Sequence, residues 1–119
     1  MTNATGAVGD YGERLAARHL ADAGLVVLDR NWRCPLGELD IVARDGDVVV
    51  FCEVKTRRGV GFGEPAEAVV GAKARRLRRL AARWLSAAGV RADEVRFDVV
   101  SVLARPGGAP EVRHLRGVL

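Results

Sequence analysis

Two carboxylates and a lysine stand at alternating positions in the run GELDIVARDGDVVVFCEVKTR, from Gly37 to Arg57. Asp40 lies in its first half, Glu53 and Lys55 in its second. Gathered on one face of a β-hairpin, such a set can hold a divalent cation beside an activated water, which is the chemistry of phosphodiester cleavage. Mg²⁺ takes octahedral oxygen ligands at about 2.0–2.1 Å and keeps several waters, so Asp40, Glu53 and the backbone carbonyl of Val54 form a half-shell. Lys55 would orient the water or neutralise charge growing on pentavalent phosphorus.

The hairpin that must position these residues reads as strands Glu38 to Arg44 and Asp47 to Thr56 around an Asp45-Gly46 turn pair. That turn sets Arg44 opposite Asp47, Asp40 opposite Phe51 and Glu38 opposite Glu53. Side chains alternate along a strand, so Glu38, Asp40, Phe51, Glu53 and Lys55 share one face. Leu39, Ile41, Ala43, Val48, Val50, Cys52 and Val54 share the other, the expected core face. Asp40 becomes a diagonal neighbour of Glu53, and two carboxylates so close raise at least one pKa unless a cation intervenes. The E-x-K spacing alone is a weak signal, and the competing reading is an exposed sheet face carrying an ordinary ion pair. Only Lys55 and Lys73 among the 19 basic residues are lysines, which makes a lysine here less expected by chance.

Around the hairpin, Asp10 and Glu13 have the D-x-x-E spacing of a capped helix start, predicting a helix from Tyr11 to Ala23 with Tyr11, Leu15, His19 and the alanines in its buried stripe. Leu25 to Asp29 reads as the first strand and Asn31 to Pro35 as a bend. Arg57 to Pro65 holds three glycines and reads as a mobile loop. A helix from Ala66 to Ala88, strands Val95 to Leu103 and Glu111 to Leu115, and a turn over Arg105 to Pro110 complete an α/β chain of order αβββαββ.

The length of 119 residues fits one domain, and a net charge of +4 favours an anionic partner. From Ala68 to Ala92 there is no acidic residue. Leu77, Leu80, Ala81, Trp84 and Leu85 form the apolar stripe of that helix, with Arg75, Arg76, Arg79 and Arg83 opposite. Lys73 falls near the apolar side and must snorkel or reach toward the site. The single-sign face could track a phosphate backbone, and Arg57 and Arg58 would stand at the mouth of the site. Trp84 reads as core, and Trp32 beside Arg33 is a candidate for base stacking. Asp98 reads as a structural partner of a basic residue, and His19 and His114 as structural. Cys34 and Cys52 lack zinc spacing and read as reduced thiols. Neither a signal peptide nor a spanning apolar run is present, which predicts a cytoplasmic, soluble protein with no membrane partner.

The hairpin run, with GERLAARHL, AVVGAKARRLRRLAARWL and RFDVVSV, resembles the YraN-like uncharacterised family over nearly the whole chain. That family is similar to archaeal-type Holliday-junction resolvases and the wider restriction-endonuclease-like superfamily. The resemblance implies a single restriction-endonuclease-like domain, with a mixed central sheet flanked by helices. It places Asp40 in the first acidic position, Glu53 and Lys55 in the E-x-K and Glu13 in the helix position, although Glu13 also fits a capping box. It further implies Mg²⁺ or Mn²⁺ as cofactor, DNA as partner, branched or structured DNA included, and a homodimer, since paired incisions need two centres. Two readings stand beside a nuclease: a non-catalytic nucleic-acid-binding module that keeps the fold, and a scaffold whose basic helix meets an acidic protein.

Overall fold

Apolar residues on both sides of the central strands require cover on both sheet faces, and a helix supplies it on each. The computed structural model describes residues 4–58 and 71–118, with side chains from residue 9 onward. Its elements are α1 (Ala4–Asp22), β1 (Val26–Cys34), β2 (Gly37–Asp45), β3 (Val48–Arg58), α2 (Ala72–Ala88), β4 (Glu94–Ala104) and β5 (Glu111–Leu115). The expected order αβββαββ is observed. The strands form one mixed sheet in sequence order, with β3 central; β3 and β4 run parallel and the other neighbours antiparallel. A parallel pair requires a crossover, and α2 lies within it.

Under α1 the core consists of Ala16, Leu20, Leu25, Ile41, Ala43, Val50, Cys52, Val100 and Val102. Under α2 it consists of Leu39, Val42, Val49, Phe51, Leu77, Leu80, Ala81 and Trp84. The α2 stripe buries Leu77, Leu80, Ala81 and Trp84, as its spacing predicts. Phe51 meets Trp84 edge-on at 5.9 Å between ring centroids, and the indole Nε1 donates to Asp29 Oδ2 at 2.9 Å. Trp84 therefore buries its ring without orphaning its donor.

Several expectations are corrected. The helix α1 begins at Ala4 rather than Tyr11, so Glu13 lies inside the helix and cannot serve as a capping-box residue. Its buried residues are Gly12, Glu13, Ala16 and Leu20, while Tyr11 is exposed. Ala16 bears out the expected alanines and Leu15 packs against the core, but the centre of the stripe is displaced from the Tyr11, Leu15, His19 row. The first strand runs on to Cys34, through the expected bend, with an irregularity between Val27 and Asp29 and a left-handed Asn31 (φ 54°).

The hairpin register also moves by two. Val42 pairs with Phe51 and Asp45 with Val48, leaving Gly46 and Asp47 in the turn. Glycine at the first central position has φ 61°, while Asp47 is not left-handed. A type II′ turn asks for positive φ at that one residue, whereas the expected Asp-Gly turn would force Asp45 into the left-handed region too. A shift of two preserves facial parity. Both faces are nevertheless core, and Leu39 joins Val42 and Phe51 under α2 instead of Ile41 under α1. Arg57 and Arg58, expected to open a loop, continue β3, and α2 begins at Ala72 after a left-handed Gly71 (φ 56°) rather than running unbroken from Ala66; the rest of the expected loop and helix start, residues 59–70, lies outside the described residues.

Candidate functional site

Strand β3 carries Glu53 and Lys55 on its α2 face, one residue out of phase with Cys52 and Val54 beneath α1. Continuing the observed register past Ile41–Cys52 brings Asp40 opposite Glu53 rather than diagonal to it. The ladder stops there, and Asp40 Oδ2 accepts from the Val54 amide at 2.8 Å. A side-chain oxygen thus takes the N–H that continued pairing would present to β2. In an extended strand the carbonyl of a residue points to the same edge as its N–H, so the Val54 carbonyl faces this side as well.

Electrostatics follow from the crowding. Burial and the charge of Glu53 push the Asp40 carboxyl up to about 7, against the stabilising Val54 N–H, with Glu13 and Glu38 adding to the rise. Glu53 Oε1 lies 3.2 Å from Lys55 Nζ and 3.5 Å from Lys73 Nζ. Crowding by Lys55 lowers Lys73 from the ordinary lysine range, with burial acting the same way. Burial opposes the charge of Lys55 too, but its contact with Lys73 and the Glu53 carboxylate outweigh it.

A cleft of about 150 Å³ opens between the β2–β3 hairpin and the start of α2, and Gly37, Glu38, Asp40, Glu53, Lys73, Arg76, Leu77 and Leu80 line it. Arg76 therefore stands on the cleft side with Lys73, three residues away, rather than on the face opposite the apolar stripe. Arg75, Arg76, Arg79 and Arg83 are all exposed. Arg57 is half-buried and Arg58 exposed at the end of β3; neither lines this cleft.

Glu13 approaches from the other helix. Gly12 makes the approach close, because a Cβ there would fall 1.8 Å from Thr56 Oγ1 on β3. Glu13 is 6% exposed, and its Oε1 has no hydrogen-bond partner among the described residues. Burial raises its pKa, against a hydrogen bond from Asn31 and the charge of Arg30. Its charge reaches Asp40, but Glu13 stands beside the cleft rather than in its lining. Sequence reasoning missed Asn31; the left-handed backbone that presents it had no signal beyond the tolerance of asparagine for that region.

Oxygen donors with an excess of negative charge, and a buried carboxylate oxygen left orphaned, fit a hard divalent cation. A second group has the donor set of a metal site: Cys52, Asp98 and His114, whose ligand atoms lie within 4.8 Å of one another. In the structure Asp98 is committed elsewhere. Arg96 Nε and a terminal nitrogen each donate at 2.9 Å, the Gly117 amide at 2.9 Å, and His114 Nε2 lies at 2.6 Å. Burial alone would raise Asp98; His114, Arg96 and Gly117 instead hold it at about 2. This bears out Asp98 as the partner of a basic residue, with His19 edge-on to His114. Cys52 is buried and Cys34 half-buried, both as free thiols. Trp32 is half-buried against the α2-side core. No helix among the described residues is long and apolar enough to cross a membrane.

A mixed five-stranded sheet with a helix on each face, its central strand carrying Glu53 and Lys55 beside Asp40 of β2, makes this an α/β protein whose architecture is consistent with a nuclease-like fold. The chain belongs to UPF0102, described as an uncharacterised protein family, whose model matches residues 12–102. A UPF0102 protein of Beutenbergia cavernae is 61% identical over 112 residues, covering 94% of this chain and 95% of its own. One of Streptomyces griseus is 60% identical over 117 residues, covering 98% of each. A third, of Nocardia farcinica, is 55% identical over 112 residues, covering 94% of this chain and 88% of its own.

Proposed function

We propose that this protein is a metal-dependent endonuclease of the cytosol acting on DNA, with branched or otherwise structured DNA as its substrate class. The observation that carries the reading is Asp40, driven up to about 7 by burial and by Glu53. The protein has gathered negative charge that its own groups leave incompletely balanced, and a divalent cation would relieve it. Asp40, Glu53 and the Val54 carbonyl are the groups that would hold Mg²⁺ or Mn²⁺. When bound, the ion supplies charge neutralisation for phosphoryl oxygens and an acidified water. Lys55 steadies Glu53 and stabilises charge building on the phosphorus. Glu13, held by Asn31, adds a carboxylate near Asp40 that can orient a water. Lys73, Arg76, Arg79 and Arg83 recur every three or four residues, a basic flank along which a phosphate backbone can lie; Arg75, one turn before Arg79, and Arg57 and Arg58 past the site, would extend the positive field.

One observation favours the second reading, a nucleic-acid-binding module without chemistry: two lysines already surround Glu53. Purified protein offered branched, flapped, single-stranded and duplex DNA with Mn²⁺ separates the two. Cleavage is expected to fall about 100-fold or more in Glu53→Ala. Cleavage at the wild-type rate in that variant would identify a contaminant and remove the catalytic claim. Salt-sensitive binding with no metal-dependent cutting selects the module, and no retention on DNA at low salt removes both.

A further inference from the structure

We infer that Lys73 is a place-holder for the cation: it occupies Glu53 while the divalent ion is away, and it turns to a DNA phosphate when the ion arrives. This rests on the metal-dependent reading above and deepens it, by assigning the residue that couples cation binding to DNA binding.

Both ammonium groups approach one oxygen, Glu53 Oε1, at 3.2 Å from Lys55 and 3.5 Å from Lys73. They differ in how they are held. Lys55 is two residues along the same strand, held opposite Ser101 by the ladder with β4. Lys73 reaches across the cleft from the first turn of α2, and its side chain is 39% exposed against 27% for Lys55. Three cationic centres around Asp40 and Glu53 would repel one another strongly at such distances. The lysine with the longer free path to solvent is the one that leaves. Its path leads toward Arg76, the next cation lining the cleft. A phosphate on that flank then offers Lys73 a replacement for Glu53, but only once the cation has displaced it. Without the cation, recruiting Lys73 to DNA means breaking its ion pair. Cation and DNA must therefore raise each other's affinity by the same factor, as linkage between two binding events requires.

The experiment pairs two titrations on wild type, Lys73→Met, Lys73→Arg and Asp40→Asn. In calorimetry with Mn²⁺ alone, Lys73→Met should bind the ion about 3- to 10-fold more tightly than wild type, having lost the competing charge. Lys73→Arg keeps the charge and should stay near wild type. In fluorescence anisotropy with a short labelled duplex, Lys73→Met should lose about threefold more DNA affinity in Ca²⁺, used to hold cleavage back, than in EDTA. Unchanged or weaker Mn²⁺ binding by Lys73→Met, or equal loss of DNA affinity with and without Ca²⁺, overturns the inference. If Asp40→Asn weakens Mn²⁺ binding while Lys73→Met leaves it alone, the inference alone falls. If Asp40→Asn leaves the Mn²⁺ isotherm unaltered, the cation site falls and the inference with it.

Discussion

Asp40 shows how a single residue trades stability for a site. Its carboxyl sits at about 7 in the folded chain because burial and Glu53 disfavour the charge, whereas an unfolded aspartate titrates near 3.9. A raised folded pKa means that the folded state holds its proton where the unfolded chain has lost it. The stabilisation is complete below the unfolded pKa and is lost as pH rises to about 7. Asp40→Asn, which keeps an acceptor for the Val54 amide, should therefore stabilise the metal-free protein at pH 8 by on the order of 1–3 kcal/mol and change little at pH 3. Denaturant melts at the two pH values check this. Equal effects at both would mean that Asp40 is not strained by charge. Asp98 is the opposite case: held at about 2 by His114, Arg96 and Gly117 despite its burial, it stabilises the fold until pH falls through that value. Burial has opposite outcomes at the two aspartates because only one of them has its partners.

At the scale of elements, α1 and α2 divide the work. Gly12 lets α1 sit against Thr56, and the 1.8 Å approach of an added Cβ to Thr56 Oγ1 leaves no room for alanine. Gly12→Ala gains helix propensity of about 1 kcal/mol, but the overpacking should cost more, about 1–3 kcal/mol. A net loss of stability in thermal melts is expected; a more stable variant would show that α1 can slide. On α2, Arg76, Arg79 and Arg83 share the flank that leads from the cleft, while Arg75 and Arg78 stand further round the helix from Arg76. Replacing all three flank arginines with Gln should lower the log-log salt slope of DNA binding by about 2 to 3, at about 0.9 per phosphate. The Arg75→Gln, Arg78→Gln double variant should lower it less. Equal effects per residue would mean diffuse attraction to the whole helix.

For the molecule as a whole, the readable part of the sequence is the part governed by periodicity. The order of elements, the α2 stripe and the end of that helix at Gly89 follow from apolar spacing and a helix-stopping residue. Convergence of Asp40, Glu53 and Lys55 survived an incorrect register because the displacement was by two, so facial parity was retained. What periodicity cannot express was lost: a left-handed Asn31, the irregularity in β1, and the transfer of Leu39 to the other face. Alternation also assigned one face to solvent, when the parallel β3–β4 pair has helices over both sides. The capping reading of Glu13 depended on where the helix begins, the least legible property of any helix.

The division of the core into two halves carries a spectroscopic consequence. Both tryptophans belong to the α2 half, Trp84 within it and Trp32 at its margin, whereas the single tyrosine, Tyr11, rides on α1. Native emission from indole is therefore a gauge of α2 docking alone. Detachment of α1 leaves that light almost untouched, so a far-ultraviolet signal that decays before the fluorescence would time the two halves separately with no label attached.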